Sequence, residues 1–371
     1  SNTLVATLAL RDAAQLGLDT QQAAAFDAAF SAISADESLG AAFAQLTDSN
    51  SFNKAYNQLL PEFAAAIHRF IHSNVDGATG AVSTHLANAR LSDEKPGGAW
   101  IEEFAYFADR ELTQLSEAYR GHGFGFTGGV DTAFGPFHTA GVNLGFSATE
   151  VEDVLGQDDP LNVVSLQTGL YAGYEAGRFG VDLYVGGGYN AIDSVRNVSI
   201  GTYNAEAAAD WNALHYNASI SAGYDMAISE RFYMRPSVNV SYLSLTEDGY
   251  SETGDDAIAL TVAERSSETG TATALLSFGG RFEGDRIWYS PSFRLGIAND
   301  FEGAGTITSA YFTNTNQALS LTSQEFPDTG AIIGFSIAAG SKYSSFGFDY
   351  DADIRDGYNR HMARLVLRLL F

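Results

Sequence analysis

Two periods divide the chain. From Asp19 to about Ser92 alanine is abundant and apolar residues recur at helical spacing, as in the stripe Ala23, Phe26, Ala29, Phe30 and Ile33, which predicts helices. Thr20 is followed three residues on by Ala23 rather than Glu or Gln, so it opens no full capping box; Ser34 and Asp48 are candidate breaks or caps. The stretch from Leu59 to Arg90 predicts one longer helix, about 58–92, interrupted at Asp76, Gly77 and Gly80. The turn-like run Asp93-Glu94-Lys95-Pro96-Gly97-Gly98 sets a boundary that separates residues 1–96 from 97–371. Beyond it the period is two.

In the second region Phe232, Met234, Pro236, Val238, Val240 and Tyr242 share one face, while Tyr233, Arg235, Ser237, Asn239 and Ser241 share the other. Phe179, Val181, Leu183, Val185 and Tyr189 oppose Asp182, Tyr184 and Asn190. Tyr216, Ala218, Ile220, Ala222, Tyr224 and Met226 oppose Asn217, Ser219, Ser221 and Asp225. Ile287, Tyr289, Pro291, Phe293, Leu295 and Ile297 oppose Ser290, Ser292 and Arg294. A soluble sandwich also alternates, but aromatic residues at the strand ends and a small, polar opposite face fit lipid outside and a lumen inside. Connections support this: short ones near 134–136, 175–178, 229–231 and 283–285 alternate with mostly long, acidic ones at 150–161, 193–210, 246–268 and 300–328.

The strands then fall near 98–109, 119–132, 137–149, 162–176, 178–194, 209–227, 231–246, 267–283, 285–300, 328–341, 343–354 and 358–371. Residues 316–324 are read as an extended piece of a long loop, because a thirteenth strand would leave the C-terminus on the wrong rim. The predicted fold class is an all-β transmembrane barrel of twelve antiparallel strands, preceded by an α-helical segment that occupies or threads its lumen.

Composition narrows the function classes. Only 18% of residues are charged and 45% are hydrophobic, yet no window of about 18 consecutive apolar residues exists to cross a membrane as a helix. Cysteine is absent, which removes disulfides, thiolate metal sites and a cysteine nucleophile, and suits a chain that crosses an oxidising periplasm unfolded. A net charge of -25 provides no basic stripe for phosphates and argues against nucleic acid. Ser1 is not followed by a basic-then-apolar leader, so the chain reads as a fragment or as starting after processing.

The last strand places Leu365, Leu367, Leu369 and Phe371 on the lipid face and Arg364 and Arg368 in the lumen. Alternating hydrophobics before a terminal aromatic look like the signal read by the outer-membrane barrel assembly machinery. With Gly98-Ala99-Trp100 in the first strand, Gly128-Gly129-Val130-Asp131 in the second, Gly141 to Ser147 in the third and Arg235-Pro236-Ser237 in the seventh, residues 97–371 resemble the autotransporter (type V secretion) β-domain family. That resemblance implies a translocator that anchors itself in outer-membrane lipid and lipopolysaccharide, is escorted by periplasmic chaperones and exports or displays a covalently linked upstream passenger. It also implies that the helical region, with Gln58-Leu59-Leu60-Pro61 leading into it, is the linker that passes through the lumen. A plugged porin for small solutes and a barrel-borne hydrolase are the alternative readings.

His68, Arg69, His72 and Arg90 are the candidate residues of the pore helix, and Asp131, Asp182, Asp225, Arg235, Arg294, Arg364 and Arg368 the candidates facing the lumen. Arg69 and Arg90 are expected to meet acids such as Asp131, Asp182 or Asp225. His68, His72 and Asp76 stand four apart, but three ligands on successive turns span too far for one ion, so polar packing is the expectation and no metal or other cofactor is expected. Some members of the family cut their linker at an asparagine; Asn74 and Asn88 are the residues to consider, with an intact helix preferred. Gly186-Gly187-Gly188 lies inside a strand without a following helix or lysine, which excludes a phosphate loop and suggests room for the helix. His122, His138, His215 and His361 are spread over different strands with no serine motif. Glu150, Glu152, Asp153, Asp158 and Asp159 read as solvated loop acids.

Overall fold

The computed structural model describes residues 12–61, 64–90, 97–111, 118–153, 159–302, 306–322, 327–341 and 343–370. Five helices come first: α1 (Thr20–Ala24), α2 (Phe26–Ala35), α3 (Glu37–Ala44), α4 (Ser49–Asn57) and α5 (Ala64–Arg90). Short polar side chains set their starts. The Asp19 N–H donates to Gln22 Oε1 at 2.9 Å and the Gln22 N–H to Asp19 Oδ1 at 2.8 Å, a reciprocal box one residue ahead of Thr20. Asp36, rather than Ser34, caps α3 by accepting from Leu39 N at 2.8 Å, and Asp48 caps α4 by accepting from Ser51 N at 2.9 Å.

Twelve long strands follow: β1 (Gly97–Arg110), β2 (Tyr119–Phe134), β3 (Phe137–Asp153), β4 (Asp159–Ala176), β5 (Phe179–Ile200), β6 (Tyr203–Tyr224), β7 (Phe232–Glu247), β8 (Arg265–Gly280), β9 (Trp288–Glu302), β10 (Thr329–Gly340), β11 (Ser344–Arg355) and β12 (Tyr358–Leu370). Each pairs antiparallel with its sequence neighbour, and β1 pairs with β12 from Gly98↔Leu370 to Arg110↔Tyr358. The sheet is closed, so no edge is left unpaired, as a lipid environment demands. Outward residues are apolar and exposed, among them Val185, Ile220, Val238, Leu295 and Leu367, while their strand neighbours Tyr184, Asn217 and Arg368 are buried in the lumen.

The two rims differ. One carries short turns, such as that at Gly135, where φ is +57°, and Gly177, where φ is +64°; glycine takes this left-handed geometry without a Cβ penalty. The other carries the long connections, but the span 193–210 is not a loop. β5 and β6 continue past the barrel wall and meet in a tight turn at Gly201 and Thr202. Residues 316–324 are likewise not simply loop: Ala318–Thr322 pairs with Ile307–Phe312, which pairs with Leu260–Val262, which pairs with Tyr250–Ser251. This second, four-stranded sheet lies outside the barrel and leaves its count at twelve.

Helices α1–α4 pack on that sheet and on the protruding β5–β6 hairpin. Leu39, Tyr56 and Leu59 are completely buried, in one apolar cluster with Val198, Ile258 and Phe312. The helices therefore form a cap at the long-loop rim, and α5 descends from beneath it. The last strand ends at the opposite rim; Leu365 and Leu367 face outward there, and Leu369 pairs through its backbone with Ala99, while Phe371 lies outside the described residues.

Candidate functional site

The lumen is occupied by α5, which lies against β12 and β1–β5. At its entry Ile67, Phe70 and Ile71 are buried against Tyr106, Tyr119, Leu161 and Trp211. At its exit the Arg90 guanidinium reaches Asp182 at 2.6 Å and Glu175 at 4.0 Å beside the Gly177 turn. The helix is unbroken throughout, so Gly77 and Gly80 do not interrupt it. They are where it touches the wall: a Cβ on Gly77 would sit 2.5 Å from the Phe104 ring, and one on Gly80 would sit 2.7 Å from the Arg364 guanidinium. Close approach outweighs the low helix propensity of glycine here.

Between those ends, charged contacts cross from helix to wall. Arg69 binds Asp300 at 3.1 Å, and Asp300 also receives Arg355 at 2.8 Å and the Thr271 hydroxyl at 2.8 Å. Asp76 binds Arg360 at 2.5 Å and lies 3.7 Å from His72 Nε2. His85 Nε2 contacts Asp131, its ring stacks on Trp100 with centroids 4.9 Å apart, and Asp131 also accepts from Tyr171 OH at 2.9 Å. Trp100 Nε1 donates to that same tyrosine at 2.7 Å. The Arg69–Asp300–Arg355 and His85–Asp131 groups are almost wholly buried and Asp76 is partly open, so salt screens the first two weakly, and an unpartnered member there would be costly.

Asn74 occupies a neutral layer. Its side-chain oxygen accepts from Tyr106 OH at 3.0 Å and from Thr149 at 3.1 Å, and its backbone carbonyl accepts from Gln167 at 3.4 Å. This amide sits in an unbroken helix among neutral donors, and the side chain of Asn88 lies outside the described residues. Other pairs belong to the wall alone: Arg235 with Asp225 at 2.6 Å, Arg294 with Asp349 at 2.6 Å, and Arg364 with Asp349 and Asp351 at 2.8 and 2.9 Å. Arg368 is buried beside Asp131 and Tyr171.

The helix residues thus meet partners that sequence reasoning placed only in part. Arg90 joins Asp182, but Arg69 goes to Asp300, Asp131 is taken by His85, and Asp225 binds Arg235. His68 Nε2 lies 3.2 Å from Thr269 Oγ1, while His72 Nε2 lies 3.7 Å from Asp76. Asp300 and Arg360 were missed, although each shares strand parity with a lumen residue already placed, Arg294 and Arg364. His85 carried no such signal, since it lies on the helix, where strand parity says nothing of which wall residue it meets. Gly186 and Gly188 make room for wall side chains rather than for the helix: added Cβ atoms would lie 2.6 Å from Tyr184 OH and 2.5 Å from the His215 ring.

The remaining histidines face different surroundings. His122 lies 3.6 Å from Glu150, His215 bonds Asn190 in the lumen at 3.1 Å, His138 bonds Thr139 at 3.2 Å, and His361 pairs with Tyr350 on the outer face at 2.7 Å. Of the acids expected in a loop, Glu150 and Glu152 lie instead within β3, which continues to Asp153, and Glu152 pairs with exposed Arg120 at 3.0 Å; Asp158 and the side chains of Asp153 and Asp159 lie outside the described residues.

A closed sheet with an apolar outer band, a polar lumen and a helix of the same chain running through it defines an outer-membrane β-barrel filled by its own N-terminal segment. Residues 99–351 match the family model described as the autotransporter beta-domain, and the chain belongs to that family of outer-membrane translocators, whose members carry a covalently attached passenger. The fold agrees with solved translocators. The translocator domain of NalP from Neisseria meningitidis superposes with a TM-score of 0.61 at 15% identity, covering 84% of this chain and 100% of that one. The β-domain of BrkA from Bordetella gives 0.54 at 18% identity over 74% and 99%, and the transport unit of AIDA-I from Escherichia coli gives 0.52 at 12% over 80% and 99%. Among curated proteins, the esterases EstA of Pseudomonas aeruginosa and Pseudomonas putida are each 28% identical over 143 residues, 38% of this chain. The match spans only 22% of their length.

Proposed function

We propose that this translocator displays its passenger at the cell surface with the long-loop rim outward, and that residues 1–96 serve as plug and cap while 97–371 form the barrel. The observation that carries this reading is the direction of α5. It runs from the cap at the long-loop rim to Arg90 at the short-turn rim, where β1 begins and β12 ends. A segment joined ahead of the cap then emerges on the side of the long loops, without passing back through the barrel.

In this reading Leu365, Leu367, Leu369 and Phe371 form the tail that the barrel assembly machinery reads, and chaperones hold the unfolded chain in the periplasm. The outer band, with Phe179, Phe232 and Tyr242 at its edges, sits in lipid and lipopolysaccharide. Arg69, Asp76, His85 and Arg90 fix the helix after export, and the barrel contributes no bond-making chemistry of its own. The matched esterases make an ester-hydrolysing passenger the first activity to assay on cells that carry the full-length protein.

The test is an epitope tag ahead of Ser1 in intact cells, probed with antibody and external protease. Tag exposure together with a protected, heat-modifiable barrel supports surface display. A tag reached only after permeabilising the outer membrane overturns it and favours a channel plugged from the periplasm.

A further inference from the structure

The helix does not fill the lumen evenly. It rests against β12 and β1–β5, and the opposite wall from β6 to β10 is touched mainly near the cap. Burial along single strands locates the change. On β7 the lumen-facing Ser237, Asn239 and Ser241 are all partly open to solvent, whereas the next two inward positions, Leu243 and Leu245, are 2% and 0% exposed. On β8 the partly open Ser277 and Thr273 give way to Thr271 and Thr269 at 8% and 1%. β6 changes between Ser219 and Asn217, and β9 between Gly296 and Ala298. The register pairs Ser241 with Ser219 and Thr271, and Ala298 with Thr273, so all four transitions fall at one height.

At that height the first turns of α5 span the lumen: His68 reaches Thr269 on β8, and Arg69 reaches Asp300 on β9, which Arg355 holds from β11. From these facts we infer that the plugged barrel is closed by this one layer, and that below it a water-accessible vestibule for small hydrophilic solutes remains open to the short-turn rim beside the helix. Its far wall carries the hydroxyls of Ser219, Ser221, Ser237, Ser241, Thr273 and Ser277, with Arg235 and Arg294 on either side of Ser277 held by Asp225 and Asp349. Such polar groups hold water, whereas a layer of buried ion pairs seals because its groups already satisfy one another.

The inference holds whichever rim faces the cell exterior, so it stands or falls apart from surface display. The chain has no cysteine, which makes single thiols clean reporters. In the purified, folded full chain, Ser237→Cys and Ser277→Cys should react with a small charged maleimide about tenfold faster or more than Thr269→Cys, because thiol reaction follows exposure. Equal rates would overturn the inference, as would slow labelling at Ser237 and Ser277 in variants that keep the heat-modifiable mobility of the parent. In planar bilayers Asp300→Ala should raise conductance with α5 still protected from trypsin. Unchanged conductance in that variant would show that the helix seals along its whole length and would refute the single layer.

Discussion

The two helical parts of the chain are made of similar alanine-rich material and are held by different mixtures of contacts. α5 lies in a polar tube, where charged contacts to the wall and glycines that let it approach closely add to the burial of Ile67, Phe70, Ile71 and Leu86. Helices α1–α4 lie on the outside of the long loops and are fixed by apolar burial around Leu39, Tyr56 and Leu59, with few polar links such as Arg196 to the Gln58 carbonyl at 2.7 Å. The difference teaches that the partner surface decides how a helix is held. A barrel lumen is polar because its outer face is given to lipid, so a helix inside it must satisfy buried charge as well as bury apolar residues such as Ile67, Phe70 and Leu86.

Removing charge from the lumen should break this contrast most strongly. Asp300→Ala leaves Arg69 without its wall acid and strips Arg355 of one partner, and breaking a buried pair costs about 3–5 kcal/mol. Urea unfolding of the folded barrel should show the loss, while trypsin cleavage at Lys54 in the cap stays slow; a loss within error would mean the pair is dispensable. The reverse pattern is expected from Leu39→Ala, at about 3 kcal/mol for a fully buried leucine. Cap proteolysis should speed up with the barrel's heat-modifiable mobility retained, and simultaneous loss of both would mean that cap and barrel unfold together.

Gly77→Ala sharpens the comparison by adding one methyl against Phe104, an overpacking expected to cost about 1–3 kcal/mol despite the higher helix propensity of alanine. A gain in stability would show that the close contact does not constrain α5. Asp36→Ala removes the α3 cap and should lower cap stability by about 1 kcal/mol, visible as faster hydrogen exchange at Leu39 and nowhere in the lumen. The smallest effect is a pH dependence. Hydrogen bonds from the Ser51 backbone and hydroxyl hold the Asp48 carboxyl below its ordinary 3.8. Its contribution is therefore complete above that value and lost as pH falls through the lower folded one. An Asp48 titration by NMR at or above 3.8 would remove the effect.

Much of the barrel was legible from alternation alone. Phe232 to Tyr242 and Phe179 to Tyr189 assigned two strands to lipid and lumen faces without any contact information, because successive side chains of a strand must point to opposite sides. The ends were less legible. β5 and β6 run several residues beyond the aromatic girdles, where Val198, Ile200 and Ala207 are buried by the cap rather than by lipid, and no local pattern reports a partner such as Gln58, which reaches Ser199 from 141 residues earlier in the chain. Gly77 and Gly80 misled for a related reason. Their helix propensity is local, while their use is set by Phe104 and Arg364 across the lumen.

Sequence alone determined the period change near residue 96, the faces of strands such as β5, β6, β7 and β9, and the count of twelve, since each depends on spacing along one element. Tertiary structure alone decided which acid each helix cation meets, that His85 rather than an arginine takes Asp131, that residues 318–322 join a second sheet, and that α5 leans to one wall and seals at one height. Those outcomes depend on the relative placement of elements brought together by barrel closure, and a pairwise contact between distant residues leaves no periodic trace in either segment.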